Sequence, residues 1–358
     1  MTKRKNAVNS LPKEINEAYE TEMIRIKRNG DGDYEIAKRA LSWIYHAKRP
    51  LVMAELQEAI TVDPIIDIEN SDNDCADLDC DSFTDPQSII DCCGSLILWE
   101  RATDVVGFSH YTVSEFFDKR AVGNIEPELY VAQTCLTYLC FDVFGQGPCG
   151  NCDELSRRVQ KYRLAGYVAK FCGIHIFASK EEQKIEDLVL SMLGSPARRQ
   201  VLHELEKNKS LIERTPTRTS LYYMRMSYNA DFWGRTPLHF LAAWGLSTIC
   251  DKLLSGCGEE LRVHLSQKWR DRDNNLVNTI AAGPEDLQVN AMDIDGVTPL
   301  YNATIFGHER MVSLLLAKGA DVNEQGGEYG NALQAASWNG HREVVEMLLD
   351  KVDVNARG

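Results

Sequence analysis

The last third of the chain repeats itself with a period of about 33 residues, and this restricts the fold more than any other feature of the sequence. Shifting residues 293–323 by one period superimposes Leu300 on Leu333, Ala303 on Ala336, Gly307 on Gly340, His308 on His341, Val312 on Val345, and Leu315 and Leu316 on Leu348 and Leu349. A further copy lies upstream, in DFWGRTPLHFLAAWGLSTICDKLL. Such a unit is too small to bury its own apolar face, so the period predicts units stacked side by side.

Each copy has the residues that begin and end a pair of short helices. Pro237 and Pro299 suit the first turn of a helix, where a missing N–H group costs nothing. Gly245, Gly307 and Gly340 stand where that helix must end, since glycine adopts the left-handed conformation without strain. Apolar residues then recur at helical spacing, as in HERMVSLLLAKGADVN. The pattern predicts a turn, a helix, a second helix and a polar hairpin in each copy.

These copies resemble the ankyrin repeat, whose period and Thr-Pro-Leu-His signature they share. The signature is complete at 236–239 and becomes TPLY at 298–301 and NALQ at 331–334, so its Thr–His hydrogen bonds are expected in full only in the first copy. The resemblance covers residues 231–355, with copies at about 231–254, 290–322 and 323–355. Leu238 and Leu300 are separated by nearly two periods instead of one, which leaves 255–289 as a degenerate repeat or an insertion.

The resemblance implies a surface for a protein partner, since ankyrin proteins usually bind partners through their hairpin tips and inner helices. The corresponding residues here are Phe232, Trp233, Arg235 and Trp244 in the first copy, Ile294, Asp295, Val297 and Phe306 in the second, and Glu328, Trp338 and Asn339 in the third. Exposed tryptophan and arginine are residue types that dominate binding energy at interfaces. The alternative is that Trp233 and Trp244 cover the segment 255–289.

The N-terminal half of the chain follows another pattern. Apolar residues at helical spacing predict two helices within 34–60, separated at Arg49 and Pro50, and a third short helix before Gly94. Strands are expected at 95–100 and 105–110, with a closing helix after them. Three helices followed by two strands is the order of a winged-helix domain, which we place at 34–120. Residues 63–85 hold nine acidic residues and no Lys or Arg, which predicts a solvated, disordered loop.

Residues 1–33 are interpreted as an entry segment and 121–215 as a helical linker domain, with the repeat domain at 216–358. The blocks LPKEINEAYETEMIRI, ALSWIYHAKRPLVMAELQEAI, IIDCCGSLILW, FSHYTVSEFF, CLTYLCFDVF and YRLAGYVAKFCGIH resemble the module after the NACHT nucleotide-binding domain in fungal NOD-like, or STAND, proteins. The same winged helix is found in proteins related to the GPI inositol-deacylase winged-helix family. The resemblance implies a regulatory module without its ATPase, since the chain has no Gly-x-x-x-x-Gly-Lys-Ser/Thr loop.

Three other motifs are candidate sites of chemistry. In related switch ATPases a winged-helix histidine contacts the nucleotide, but around His110 the motif differs, and a locally hydrogen-bonded histidine is the simpler interpretation. CGNC at 149–152 has the spacing of a redox pair or half a zinc site, without the strand or the four ligands that either needs, which favours ordinary thiols. DLDCDSFTDPQS at 77–88 imitates a calcium loop but has Ser82, Pro86 and Ser88 at unsuitable positions.

Charge and composition argue against several classes of protein. The net charge of −14 disfavours a general DNA binder, and the helix expected near 86–93 has no Lys or Arg for phosphates or bases. No run approaches the roughly 18 to 20 apolar residues that span a bilayer, and no apolar stretch follows the basic N-terminus. Eleven scattered cysteines are typical of reduced thiols, so we expect a cytoplasmic protein, with the nucleus as the alternative.

The expected fold class is mainly α: a winged helix with a small β-wing, a helical linker domain and an ankyrin-repeat α-solenoid. We expect a non-catalytic protein that binds a protein partner through its repeats, without a cofactor, a metal site, a small-molecule substrate, nucleic acid or a membrane. One alternative is the C-terminal part of a NACHT NTPase switch. A further alternative is a DNA-binding regulator.

Overall fold

The computed structural model describes residues 13–64, 78, 82–120, 124–207, 234–255 and 287–351. Contacts divide the chain into two compact units, of which the first comprises residues 1–141 and 157–179 and the second residues 142–156 and 180–358. Most of the predicted acidic loop and most of the segment 255–289 lie outside the described residues.

The first unit begins with the helices and strands of a winged helix. Its helices are α1 (Lys13–Arg28), α2 (Asp31–His46), α3 (Met53–Thr61), α4 (Pro86–Cys93) and α5 (Tyr111–Arg120). Its strands are β1 (Leu51–Val52), β2 (Ile97–Glu100) and β3 (Val105–Phe108), which form an antiparallel sheet in the order β1–β3–β2. The large side chains of Trp43, Leu41, Leu56, Phe116 and Phe117 are fully buried. They belong to helices α2, α3 and α5, so these helices share one core.

Strand β1 adds a third strand to the two that the sequence predicted. Leu51 pairs with Val106 and Val52 with Val105, which makes β3 the central strand. The sequence pattern did not reveal β1 because only two extended residues separate Pro50 from the first residue of α3. Strand β2 is shorter than expected, since residues 94–96 form a tight helical turn before it.

Gly94 ends α4 as predicted, with a positive φ of 60°. A Cβ atom at this position would collide with the side chains of Glu22 and Arg25 on α1. Glu22 Oε1 also accepts a hydrogen bond of 2.8 Å from the Ser95 N–H. The hydrogen bond from Arg25 lowers the pKa of Glu22 to about 2. The entry segment thus packs on the winged helix through a charged pair.

Helices α6 (Glu128–Leu139) and α9 (Ala165–Ser179) complete the first unit, and α8 (Cys152–Lys161) leads into α9. The buried carboxylate of Glu58 on α3 accepts three hydrogen bonds: from the Tyr138 hydroxyl at 2.7 Å, the Arg163 N–H at 2.7 Å and the Leu164 N–H at 2.9 Å. Several donors are needed because burial removes water from a charged group. Glu58 therefore joins α3 to α6 and to the turn before α9.

A second carboxylate joins α2 to α6 and α9. Glu128, the first residue of α6, receives Lys48 Nζ at 2.8 Å and His175 Nδ1 at 2.6 Å on one oxygen, and His46 Nδ1 at 2.7 Å on the other. Burial alone would raise the pKa of Glu128, but the hydrogen bonds from His175, His46 and Lys48 outweigh it and hold this pKa below its ordinary range. The N-terminus of α6 stabilises the same negative charge.

The second unit contains α7 (Asp142–Gly145), α10 (Glu182–Gly194) and α11 (Pro196–Lys207), followed by three helix pairs. The pairs are α12 (Pro237–Trp244) with α13 (Ser247–Leu254), α14 (Pro299–Ile305) with α15 (Glu309–Ala317), and α16 (Ala332–Trp338) with α17 (Arg342–Leu349). The mainly helical fold class is confirmed. The domain boundaries at 120 and 215 stay predictions, while contacts group α6 and α9 with the winged helix and α10 and α11 with the repeats.

Helices α10 and α11 pack against the first repeat pair. Glu182 Oε2 accepts from the Thr248 N–H at 2.9 Å and the Ile249 N–H at 3.3 Å, at the N-terminus of α13. A negative charge is favourable at a helix N-terminus, where backbone N–H groups lack partners. Lys252 on α13 also pairs with Glu186 on α10. The described stack therefore includes a non-repeat helix pair before its first repeat.

The first two repeat pairs are consecutive in the stack, although their sequences are nearly two periods apart. His308 Nε2 donates to the Ala243 carbonyl at 3.0 Å, and His341 Nε2 donates to the Ile305 carbonyl at 2.8 Å. The two hydrogen bonds join equivalent positions of neighbouring pairs. The additional sequence between the first two copies therefore does not separate α12–α13 from α14–α15.

The signature turn keeps reciprocal hydrogen bonds in two copies, not in one as expected. In the first copy the Thr236 N–H donates to His239 Nδ1 at 3.1 Å, and the Thr236 side chain accepts in return. The second copy, with Tyr301 in place of His, keeps one bond. In the third copy the Asn331 N–H donates to Gln334 Oε1 at 3.1 Å and the Gln334 N–H donates to Asn331 Oδ1 at 2.9 Å. Asn and Gln carry the same complementary donors and acceptors.

Candidate functional site

The first helices of the repeat pairs and the hairpins before them form one side of the stack. In the second and third repeats this side comprises residues 287–306 and 319–339, and we call it the inner face. Phe306 follows α14 and is 53% exposed, and Trp338 ends α16 and is 75% exposed. Ile294, at a hairpin tip, is also exposed. Helices α14 and α16 carry no charged residue, so the inner face offers apolar side chains to solvent.

Trp338 rests on a second aromatic ring. The rings of Trp338 and Tyr329 stack with centroids 5.6 Å apart and an angle of 26°. The Tyr329 N–H donates to the Tyr301 hydroxyl at 2.9 Å, and buried Tyr301 packs with Val297 and Ala335. One side of the Trp338 ring is therefore supported by the repeat core, while most of its surface faces solvent.

Phe306 is oriented by the contact between repeats. Its ring stacks on His308 with centroids 6.0 Å apart and an angle of 24°. His308 is itself fixed by its hydrogen bond to the Ala243 carbonyl of the preceding pair. The position of Phe306 thus depends on repeat stacking and not on its own helix alone.

Two of the predicted partner-binding residues form ion pairs within the second unit. Arg235 Nη1 lies 3.0 Å from Glu206 Oε2, and its Nε lies 3.2 Å from Asp293 Oδ2. Asp295 Oδ2 lies 2.8 Å from Lys207 Nζ, and this hydrogen bond lowers the pKa of Asp295. Arg235 and Asp295 therefore hold the hairpins against α11, which the sequence did not predict.

Trp244 and Val297 do not present side chains to a partner, and this corrects the expectation from the sequence. They are 7% and 8% exposed. Trp244 packs against Phe240 with ring centroids 5.8 Å apart, and Val297 packs against Tyr301. These residues were assigned from their place in the repeat, whereas the exposure of a side chain depends on its own neighbours. Phe232 and Trp233 lie outside the described residues. The alternative that the tryptophans cover the segment 255–289 therefore falls largely outside them too.

Glu328 and Asn339 lie at the surface, and their role in partner binding stays a prediction. Asn339 Nδ2 donates to the Ala335 carbonyl at 2.9 Å. Tyr301 and Tyr329, which support Trp338, were not among the residues predicted from the sequence. A tyrosine in place of the signature histidine at 301 was the available signal, whereas nothing in the repeat pattern marks Tyr329.

The other motifs have local structural roles. His110 Nδ1 accepts from the Thr112 N–H at 3.3 Å and lies 2.8 Å from the Thr112 hydroxyl. Cys149 is buried, Cys152 begins α8, and no disulfide joins them. Asp85 caps α4 by accepting from two backbone N–H groups. Over the part of the chain that the structure describes, no three His, Cys, Asp or Glu side chains are grouped to hold a metal, and no helix is long and apolar enough to cross a membrane.

Two segments of the chain match known families. Residues 265–358 match ankyrin repeats in three copies, and residues 26–124 match the winged helix domain of GPI inositol-deacylase. Azaphilone pigments biosynthesis cluster protein L of Monascus ruber is 27% identical over 373 residues, which cover 96% of this chain and 60% of that protein. The chain thus spans about 60% of the length of this relative.

Two further relatives share shorter regions with the chain. Notch-regulated ankyrin repeat-containing protein of Homo sapiens is 32% identical over 100 residues, which are 28% of this chain and 82% of that protein. Ankyrin repeat and SAM domain-containing protein 6 of Mus musculus is 41% identical over 64 residues, which are 18% of this chain and 7% of that protein. Together with the stacked helix pairs, these similarities show that the chain belongs to the ankyrin-repeat proteins and carries a winged-helix domain of the GPI inositol-deacylase type.

Proposed function

We propose that this protein is a non-catalytic interaction protein whose ankyrin repeats bind a protein partner through the inner face. The exposure of Phe306 and Trp338, on a face whose helices carry no charge, is the observation that carries the proposal. Large aromatic side chains supply most of the binding energy at many interfaces. A stacked array is already ordered before it binds, which limits the entropy cost. We place it in the cytoplasm or nucleus, since eleven cysteines scattered along the sequence are typical of intracellular chains.

Capture of binding proteins from native extract by the full chain, with chemical crosslinking and mass spectrometry, tests the proposal. Proteins that bind the inner face should be recovered with the natural chain and lost with a Phe306→Ala, Trp338→Ala double variant. Leu98→Ala is the matched control, because Leu98 is an exposed apolar residue of the first unit. Equal recovery by the natural chain and the double variant contradicts the proposal. Both variants change exposed residues, so unchanged melting curves are expected.

A second candidate is the C-terminal part of a NACHT NTPase switch, with the winged helix in the regulatory module of a fungal STAND receptor. The winged-helix match supports it, as does the greater length of the Monascus relative. The mass of the endogenous protein separates the candidates. A product near 40.4 kDa supports an adaptor without an ATPase. A larger product, whose reading frame contains a phosphate-binding loop upstream, supports the switch.

A further inference from the structure

We propose that the partner of the inner face presents an Arg or Lys side chain next to an apolar anchor, and that this cation binds between the Trp338 ring and the Glu328 carboxylate. This rests on the proposed function, because it names the chemistry of a partner for the same surface.

The inner face carries more carboxylates than cations. Residues 288–309 and 319–341 contain no Lys or Arg. Of their carboxylates, Asp293 is buried and pairs with Arg235, and Asp295 pairs with Lys207. Glu324 and Glu328 form no ion pair with any residue that the structure describes. The inner face is therefore negatively charged around its aromatic residues, and charge complementarity favours a cationic partner.

Trp338 and Glu328 belong to one cluster. Tyr329 follows Glu328 in the hairpin and stacks on Trp338. The Tyr301 hydroxyl receives the Tyr329 N–H, and Glu328 lies close enough to Tyr301 to add to the rise in pKa that burial causes there. Glu328 and Trp338 thus both neighbour Tyr329, the first along the chain and the second by ring stacking.

An indole ring and a carboxylate together bind a cation by two compatible attractions. The face of the indole is negative, and tryptophan is the aromatic residue that attracts Lys or Arg most strongly. The first unit contains the cation–aromatic part of this arrangement, since the Arg101 guanidinium lies 3.5 Å from the centre of the Trp99 ring. The inner face supplies the ring of Trp338 and the carboxylate of Glu328, and the partner supplies the cation.

A further helix pair stacked on α16–α17 is the competing occupant. Trp338 is equivalent to Ile305, which packs against the next repeat. A Cβ on Gly307 would meet the His341 ring, whereas a Cβ on Gly340 would meet nothing within 4 Å. The negative charge of the inner face favours a cationic partner segment over a further helix pair, because a repeat like those described would bring more hairpin carboxylates to this face.

Selection of a random peptide library displayed on phage against the immobilised full chain tests the inference. Enriched peptides should carry Arg or Lys beside an apolar residue. For a selected peptide, Trp338→Leu and Glu328→Gln should each raise Kd roughly two- to fivefold, the range expected for one exposed cation–aromatic contact. Trp338→Phe keeps an aromatic face and should weaken binding less than Trp338→Leu. Enriched peptides without a cation would overturn the inference.

Leu349→Gln is the matched control, because Leu349 is 48% exposed at the end of α17, the second helix of its repeat pair. Binding should be unchanged in this variant. A loss of binding would place the peptide on the end of the stack and overturn the inference in favour of the competing occupant. Peptides that bind equally well to the Trp338 and Glu328 variants but lose affinity when Phe306 is changed to Ala are a separate outcome. Such peptides would overturn this inference and leave the proposed function standing. Failure to enrich any peptide counts against both this inference and the proposed function.

Discussion

His239 occupies a buried position in which a neutral ring satisfies both of its nitrogens. Nδ1 accepts from the Thr236 N–H at 3.1 Å, and Nε2 donates to the Val297 carbonyl at 2.9 Å. Burial lowers the pKa of His239 from its ordinary value of 6.5 to about 4. Protonation would keep the hydrogen bond to Val297 but would remove the Nδ1 acceptor of the Thr236 N–H, so this buried position favours the uncharged ring.

Acidification should destabilise the second unit through His239. Between pH 6.5 and 4 the unfolded chain binds a proton at this residue that the folded chain does not, so the free energy of unfolding falls as the pH falls. The loss between pH 7.5 and 4.5 is on the order of 2 kcal/mol. Urea unfolding at both pH values measures it. His239→Gln, which keeps a donor and an acceptor, should lose less. An equal loss in both proteins would show that His239 is not responsible.

Shortening the side chain of Leu315 should lower the free energy of unfolding more than most single substitutions do. Its side chain is fully buried in the second helix of a repeat pair. Leu315→Ala should lower the free energy of unfolding by roughly 2 to 5 kcal/mol, since it removes buried surface and leaves a cavity. Leu349→Ala, at an exposed position of the next repeat, should change it by about 0.5 kcal/mol or less. Thermal unfolding compares the two, and similar melting temperatures would contradict this repeat register.

At the scale of elements, a helix that precedes the repeats stabilises the first repeat at the N-terminus of its second helix. Glu182 on α10 supplies a carboxylate to two N–H groups at the start of α13. No residue of α13 caps its own N-terminus with a side chain, since Leu246 occupies that position. A residue distant in sequence thus takes the place of a local cap, which explains why helix signals at 247–254 did not include one.

Removal of this carboxylate should destabilise the second unit. Glu182→Ala should cost about 1 kcal/mol of unfolding free energy, the usual value for a lost helix cap. Urea unfolding measures the change. Glu181→Ala is the control, because the neighbouring Glu181 pairs with exposed Lys184 at 3.4 Å. If the two variants have the same stability, Glu182 does not stabilise α13.

At the scale of the whole molecule, the array tolerates a change of period without losing its stacking. The hydrogen bonds from His308 and from His341 to the preceding pair are equivalent, although the first crosses a much longer stretch of sequence. Repeat arrays depend mainly on contacts between neighbours in space, so the length of a connection has little effect on their stability.

Deletion of the segment 258–286 should therefore leave the stack intact. The shortened chain keeps the same repeat period throughout, and its melting temperature should stay within about 4 °C of the natural value, the shift that roughly 1 kcal/mol would cause. Thermal unfolding and hydrogen exchange of α12 and α14 measure the result. A large drop in melting temperature, with lost protection in α12, would mean that the segment contributes to the core of the array.

Much of this architecture was determined by the sequence alone, because local signals and short periods carry it. Pro86 and Gly94 mark the two ends of α4, and the repeat period located all three helix pairs. Phe306 and Trp338 were predicted to be exposed because they occupy the inner positions of an amphipathic repeat. Helix patterns of this kind depend on residues three or four positions apart, which a single sequence contains in full.

Only the tertiary structure decided which side chains meet across the chain. The pairing of β1 with β3, the hydrogen bonds of Glu58, and the stacking of Tyr329 on Trp338 each join residues with no periodic relation in sequence. The burial of Trp244 and Val297 likewise depends on neighbours that the repeat pattern does not specify. Long-range packing is chosen by the summed contacts of many groups, so no local pattern determines it.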